Sequence, residues 1–224
     1  MDILKYDELE QGGFAGLLEK RFVMDSKVFS RPQPGNHVNG MKNFVYLADA
    51  NFNPYGETGM HPHREVDVIS VMVDGEISHQ GSLEHGSNLQ SGQVQVQRAG
   101  GQGFTHNEIN PNASINQMIQ LWVLPDNKGK LAGYKSYQPE QGGELTKIYG
   151  GNSGSADTFD SNTSIYVANA GPGQEFNFPG NAMMYLSKGQ AEVNNNQLEA
   201  RTLVRVDDGL AIKTSSAAQI IIIS

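Results

Sequence analysis

Short runs in which apolar and polar residues alternate recur along the whole chain, each bounded by Gly, Asn, Asp or Pro. They include Asn43 to Ala48, Glu65 to Val73, Gln93 to Gln97 and Gln117 to Leu124, and further strand-like runs follow at Ser164 to Ala168, Glu175 to Phe178, Met183 to Leu186, Thr202 to Val206 and Ala218 to Ile223. A period of two sends successive side chains to opposite faces of a strand, so the pattern predicts an all-β protein, a sandwich or barrel of short strands. Asp74-Gly75, between Val73 and Glu76, predicts a hairpin turn because both residues tolerate positive φ. Gln93 to Gln97 alternates cleanly, with one apolar and one polar face. Only Phe14 to Lys20 carries a weak helical spacing.

After Tyr149 the composition shifts to Gly150-Gly151-Asn152-Ser153-Gly154-Ser155, the signature of a loop or linker, and strands resume beyond it. All six histidines, at 37, 61, 63, 79, 85 and 106, precede that shift, so any imidazole-bound metal belongs to the first part. Two halves alike in texture but not in chemistry suit a duplicated β domain in which one copy lacks a site. The absence of cysteine excludes disulfides, thiolate zinc sites, iron–sulfur clusters and cysteine nucleophiles, and fits a reducing compartment. A net charge of −8, with Lys20-Arg21 as the one adjacent basic pair, argues against direct nucleic-acid binding. The polar, acidic start and the brevity of the longest aliphatic run, Ile220 to Ile223, predict neither a leader nor a membrane span, hence a soluble cytoplasmic protein.

Two strings carry the candidate chemistry: His61-Pro62-His63 and His106-Asn107-Glu108. On a strand, residues i and i+2 share a face, so each string offers two ligands side by side and the two pairs can share one ion. Three imidazoles and a carboxylate suit iron, manganese, cobalt, nickel, copper or zinc and match calcium poorly. A single His-x-His arises by chance roughly 0.16 times in a chain of this composition, so the first string alone is a hint. The glycine-rich approach Gly101-Gln102-Gly103-Phe104-Thr105 into the second string strengthens it. Exposed hairpin histidines and a surface carboxylate remain the alternative reading of the same residues. His79 and His85 read as surface or supporting residues, and His37 as an exposed loop residue.

Gly59-Met60-His61-Pro62-His63-Arg64, followed by an apolar strand and Asp74-Gly75, resembles the first cupin motif in the form used by pirins and pirin-like proteins. Gly101 to Glu108 is similar to the pirin Gly-x-Gly-x-x-His-x-Glu stretch, and Gln120-Leu121-Trp122-Val123 to the strand that follows it. The resemblance is strong over roughly residues 40 to 135. It implies a bicupin, two antiparallel β-barrel (jelly-roll) domains, with residues 1–140 forming the metal-binding domain and 141–224 a cupin-like domain without a metal site. It implies that His61, His63, His106 and Glu108 hold one divalent ion, usually iron(II), with Mn, Co, Ni, Cu or Zn as alternatives. The activity implied is that of a quercetin 2,3-dioxygenase-type oxidoreductase acting on a flavonol-like phenol and dioxygen, with Glu108 also accepting a proton. The competing reading is a non-catalytic pirin, a redox-responsive regulatory or transcription-cofactor protein with a protein partner. Asp67 stands where the family usually has glutamate and is expected to tune the site without coordinating. Ile69, Val71 and Val73, sharing parity with the two histidines, are expected to continue the pocket lining, together with Met118 and Trp122.

Overall fold

A computed structural model of the chain describes residues 1–30, 35–83, 86–151 and 157–224. Its regular structure is β throughout, apart from one 3-10 turn at Tyr6–Glu8, and every sheet is antiparallel, the arrangement of a bicupin. The chain divides into two units, Leu9–Gln138 and a second made of Met1–Glu8 with Pro139–Ser224. The expected domains put residues 1–140 together; instead the first strand, Asp2–Lys5, pairs with Thr202–Val206. A four-residue strand signals nothing about its distant partner, which is chosen by a free sheet edge.

The Leu9–Gln138 unit packs a seven-stranded sheet on a four-stranded one. The larger runs, in spatial order, Gly133–Tyr137, Val94–Arg98, Asp67–Asp74, Gln117–Val123, Phe44–Phe52, Leu17–Met24, Gly12–Phe14. The smaller runs His61–His63, Phe104–Ile109, Glu76–Gly81, Asn88–Gln90. Leu17, Ala50, Phe52, Met72 and Met118 of the larger sheet meet Ile77 and Leu89 of the smaller in one buried cluster. Fully burying such a side chain contributes roughly 1.5–3 kcal/mol, which holds the sheets face to face. The second unit repeats the plan with six and four strands around a core that includes Phe176, Met184, Leu186, Val204, Ile220 and Ile222.

Two local expectations are corrected. Phe14 to Lys20 is not helical: Gly12–Phe14 and Leu17–Met24 form a hairpin whose turn holds Ala15 and Gly16 at φ of 47° and 91°. Asp74-Gly75 is a tight turn, with Gly75 at φ 80°, but the strands flanking it lie in different sheets, so it is a corner and not a hairpin. The polar face of Gln93 to Gln97 is turned inward, with Gln95 and Gln97 buried. Of the linker Gly150 to Ser155, Gly150 and Gly151 end the strand Thr146–Gly151 and the rest lies outside the described residues, as does His85.

Candidate metal centre

His61 and His63 stand on a three-residue strand that pairs with Phe104–Ile109 in the register His61 opposite His106 and His63 opposite Phe104. Directly paired residues share a face, so alternation aims His61, His63, His106 and Glu108 at the space between the two sheets. Gly103 makes this pairing possible. Its φ is +76°, and a Cβ there would come within 2.6 Å of the His63 carbonyl oxygen.

The three imidazoles converge. His106 Nε2 lies 2.9 Å from His61 Nε2 and 3.1 Å from His63 Nε2. The Gly59 carbonyl can only accept, so His61 Nδ1 donates to it at 2.8 Å, leaving a bare lone pair on Nε2. Burial, and then the neighbouring His61, pulls the His63 pKa down to about 4. Burial, then His63, His61 and His79, pulls that of His106 to about 2. Both rings are neutral at pH 7, the form that ligates a metal. The two spacings from His106 Nε2 would let the three rings share one ion with metal–nitrogen bonds of about 2.1 Å.

Glu108 lies outside this cluster of three. It is fully buried, and its carboxylate accepts hydrogen bonds from Ser70 Oγ at 3.0 Å and Gln120 Nε2 at 3.1 Å, both from the larger sheet. Burial raises its pKa to about 7 against the lowering effect of those two bonds. Behind Ser70, Gln95 donates to its hydroxyl at 3.3 Å, and the Gln97 amide meets His79 Nε2 at 3.0 Å. His79 is buried and its ring centroid is 5.4 Å from that of His106.

A cavity of about 500 Å³ opens on His61, His63 and Glu108. Its walls include Leu17, Ala50, Met118 and Gln120, an aromatic row of Phe29, Tyr46 and Trp122, and the polar group Glu19 and Arg21. Met118 and Trp122 therefore face it as expected, while the parity argument for Asp67, Ile69, Val71 and Val73 fails. That argument assumed one continuous strand, but Glu65 turns through positive φ and the histidines lie in the smaller sheet. Ser70 faces the site, so Asp67, Ile69 and Val71 point to the other, equally buried, face, and Val73 falls at a bulge. The supporting residues Ser70 and Gln120 went unread. Their signal was a lone polar residue within each of the apolar runs 68–73 and 118–123.

Two face-packed antiparallel sheets per unit, with a three-histidine cluster between those of the first, define a bicupin with a metal-site geometry. Residues 26–123 match the Pirin family model. A Pseudomonas aeruginosa protein provisionally named a quercetin 2,3-dioxygenase is 30% identical over 162 residues, 68% of this chain and 67% of that protein. The chain belongs to the pirin family. Among solved structures, the Escherichia coli bacterial pirin YhhW in complex with nickel(II) superposes with a TM-score of 0.80 at 15% identity, covering 99% of this chain and 97% of that one. An Acinetobacter baumannii quercetin 2,3-dioxygenase gives 0.72 at 19% identity, covering 100% and 85%. At these identities the structures speak for the fold. Among the described residues no helix is long and apolar enough to cross a membrane.

Proposed function

We propose that this chain is a metal-dependent dioxygenase of the quercetin 2,3-dioxygenase type, acting on a flavonol-like phenol. In this reading His61, His63, His106 and Glu108 hold one divalent transition ion, iron(II) before manganese, cobalt, nickel, copper or zinc. The observation that carries the reading is the cavity of about 500 Å³ opening directly on His61, His63 and Glu108, a volume in the range of small-molecule sites. The names and nickel content of the relatives described above point the same way.

The ion, when bound, would supply Lewis acidity that makes a phenol hydroxyl easier to ionise. The remaining roles belong to the chain. Glu108, which lines the cavity beside His61 and His63, is positioned to accept that proton. Ser70 and Gln120 fix its carboxylate, and Gln95 fixes Ser70 in turn. Leu17, Ala50, Met118 and the aromatic row keep water from the electron-rich ring while it reacts with dioxygen. The test is oxygen uptake, with detection of released carbon monoxide, when fully metallated protein is given quercetin and a panel of simpler phenols. Uptake with the flavonol is expected. No uptake across the panel would transfer the preference to the regulatory reading, in which the metal sets a surface for a protein partner.

A further inference from the structure

The cavity has a second polar pole. Glu19 Oε1 accepts from Arg21 Nε at 2.7 Å and Nη2 at 2.6 Å, and Glu19 Oε2 accepts from the Tyr46 hydroxyl at 3.0 Å. Glu19 is only 4% exposed, yet it lines the cavity with Arg21 and Tyr46. The strand register places Arg21 opposite Ala48 and Ala48 opposite Gln120, the residue that holds Glu108. Two strand spacings, about 10 Å, therefore separate this pole from the metal side of the cavity. Between them run Tyr46 and Trp122, stacked at 4.4 Å, with Phe29 stacked on Trp122 at 6.3 Å. Flat aromatic walls with a polar group at either end suit a planar ligand of two or three rings.

Resting on the substrate reading of this cavity, we infer that Glu19, Arg21 and Tyr46 form an anchoring subsite that takes a neutral hydroxyl on the ligand's remote ring and disfavours a carboxylate there. A phenolic hydroxyl both donates and accepts. The Glu19 carboxylate offers about four acceptor positions, and three donors engage it here. Arg21 carries five N–H donors, of which Nε and one Nη2 hydrogen are used on Glu19. Glu19 neutralises Arg21, so an incoming carboxylate gains little from the guanidinium and meets Glu19 at short range.

Trp122 is the only tryptophan of the chain and stands between His63, at a ring distance of 5.7 Å, and Tyr46, so its fluorescence reports this cavity. Metal-loaded protein is titrated without oxygen, so that binding is read free of turnover. Three probes are used: quercetin, a flavonol lacking hydroxyls on the pendant ring, and a flavonol with a carboxylate on that ring. Wild type should bind quercetin about tenfold more tightly than either analogue, the worth of one hydrogen bond to a charged group. Tyr46→Phe and Arg21→Gln should each remove most of that advantage while leaving the hydroxyl-free flavonol within about twofold of wild type, as expected when one such bond is lost. Glu19→Gln should shift preference toward the carboxylate. Uniform weakening of all three probes, or no change in any variant, would overturn the subsite while leaving the substrate reading standing. Failure of wild type to bind any of the three would overturn both.

Discussion

Replacing Glu108 by Gln in metal-free protein tests the electrostatics of the site directly. The carboxyl is fully buried, and its pKa rises from the ordinary 4.5 to about 7. Between those values the folded chain holds a proton that the unfolded chain has released, so raising the pH through this window removes stability. At about 1.4 kcal/mol per pH unit the loss from this one group reaches about 3 kcal/mol above pH 7 and vanishes below about 4.5. Gln keeps the shape, and the Gln120 amide can turn to present its oxygen, so the variant escapes this penalty without leaving a buried donor unpaired. Thermal unfolding of stripped wild type and variant at about pH 5 and pH 8.5 isolates the term, because His63 and His106 contribute equally to both proteins. The variant should gain on wild type by about 6–12 °C between the two pH values, at about 2–4 °C per kcal/mol. Parallel pH trends in the two proteins would refute the buried, charge-averse carboxyl. Adding metal at pH 8.5 should reverse the order, since a cation favours the carboxylate and Gln supplies no charge.

The paired His61→Ala and His63→Ala replacement should abolish tight metal binding, and elemental analysis of wild type should give one ion per chain; two ions, or retention in the double variant, would refute the assignment. Asp67→Asn should keep full metal content, because Asp67 lies on the face of its strand away from Ser70, and stoichiometric loss would show otherwise. Gly103→Ala should destabilise by about 1–3 kcal/mol and lower metal affinity, as its Cβ would press on the His63 carbonyl in a left-handed conformation; unchanged melting would contradict the close approach. Stripped protein should lose stability as pH falls from 6.5 to about 4, because the unfolded chain protonates its histidine while buried His63 does not, and His63→Gln should flatten that slope in urea unfolding.

Much was legible in the sequence because short-range physics wrote it there. A two-residue period fixes which side chains share a face, and this carried the two ligand-bearing strings, while short apolar runs marked the strands 202–206 and 218–223. It carried nothing across a break. Glu65 at positive φ resets the parity, so Ile69 and Val71, read as pocket lining, belong to the far face. The same limit misplaced the Asp74-Gly75 turn, whose local geometry was right and whose strands part into different sheets.

The residue types, their spacing and their glycine-rich approach determined by themselves an all-β chain with three histidines and one glutamate in two same-face pairs. Only the pairing of two distant strands decided that three Nε2 atoms meet, and only the packing of one sheet on another decided that Ser70 and Gln120 reach across to hold Glu108 and that Glu19, Arg21 and Tyr46 line the same cavity. Backbone periodicity acts over a few residues. The contacts that tune a buried carboxyl join positions 38 and 12 apart, and they follow from burial shared between sheets, which no local pattern encodes.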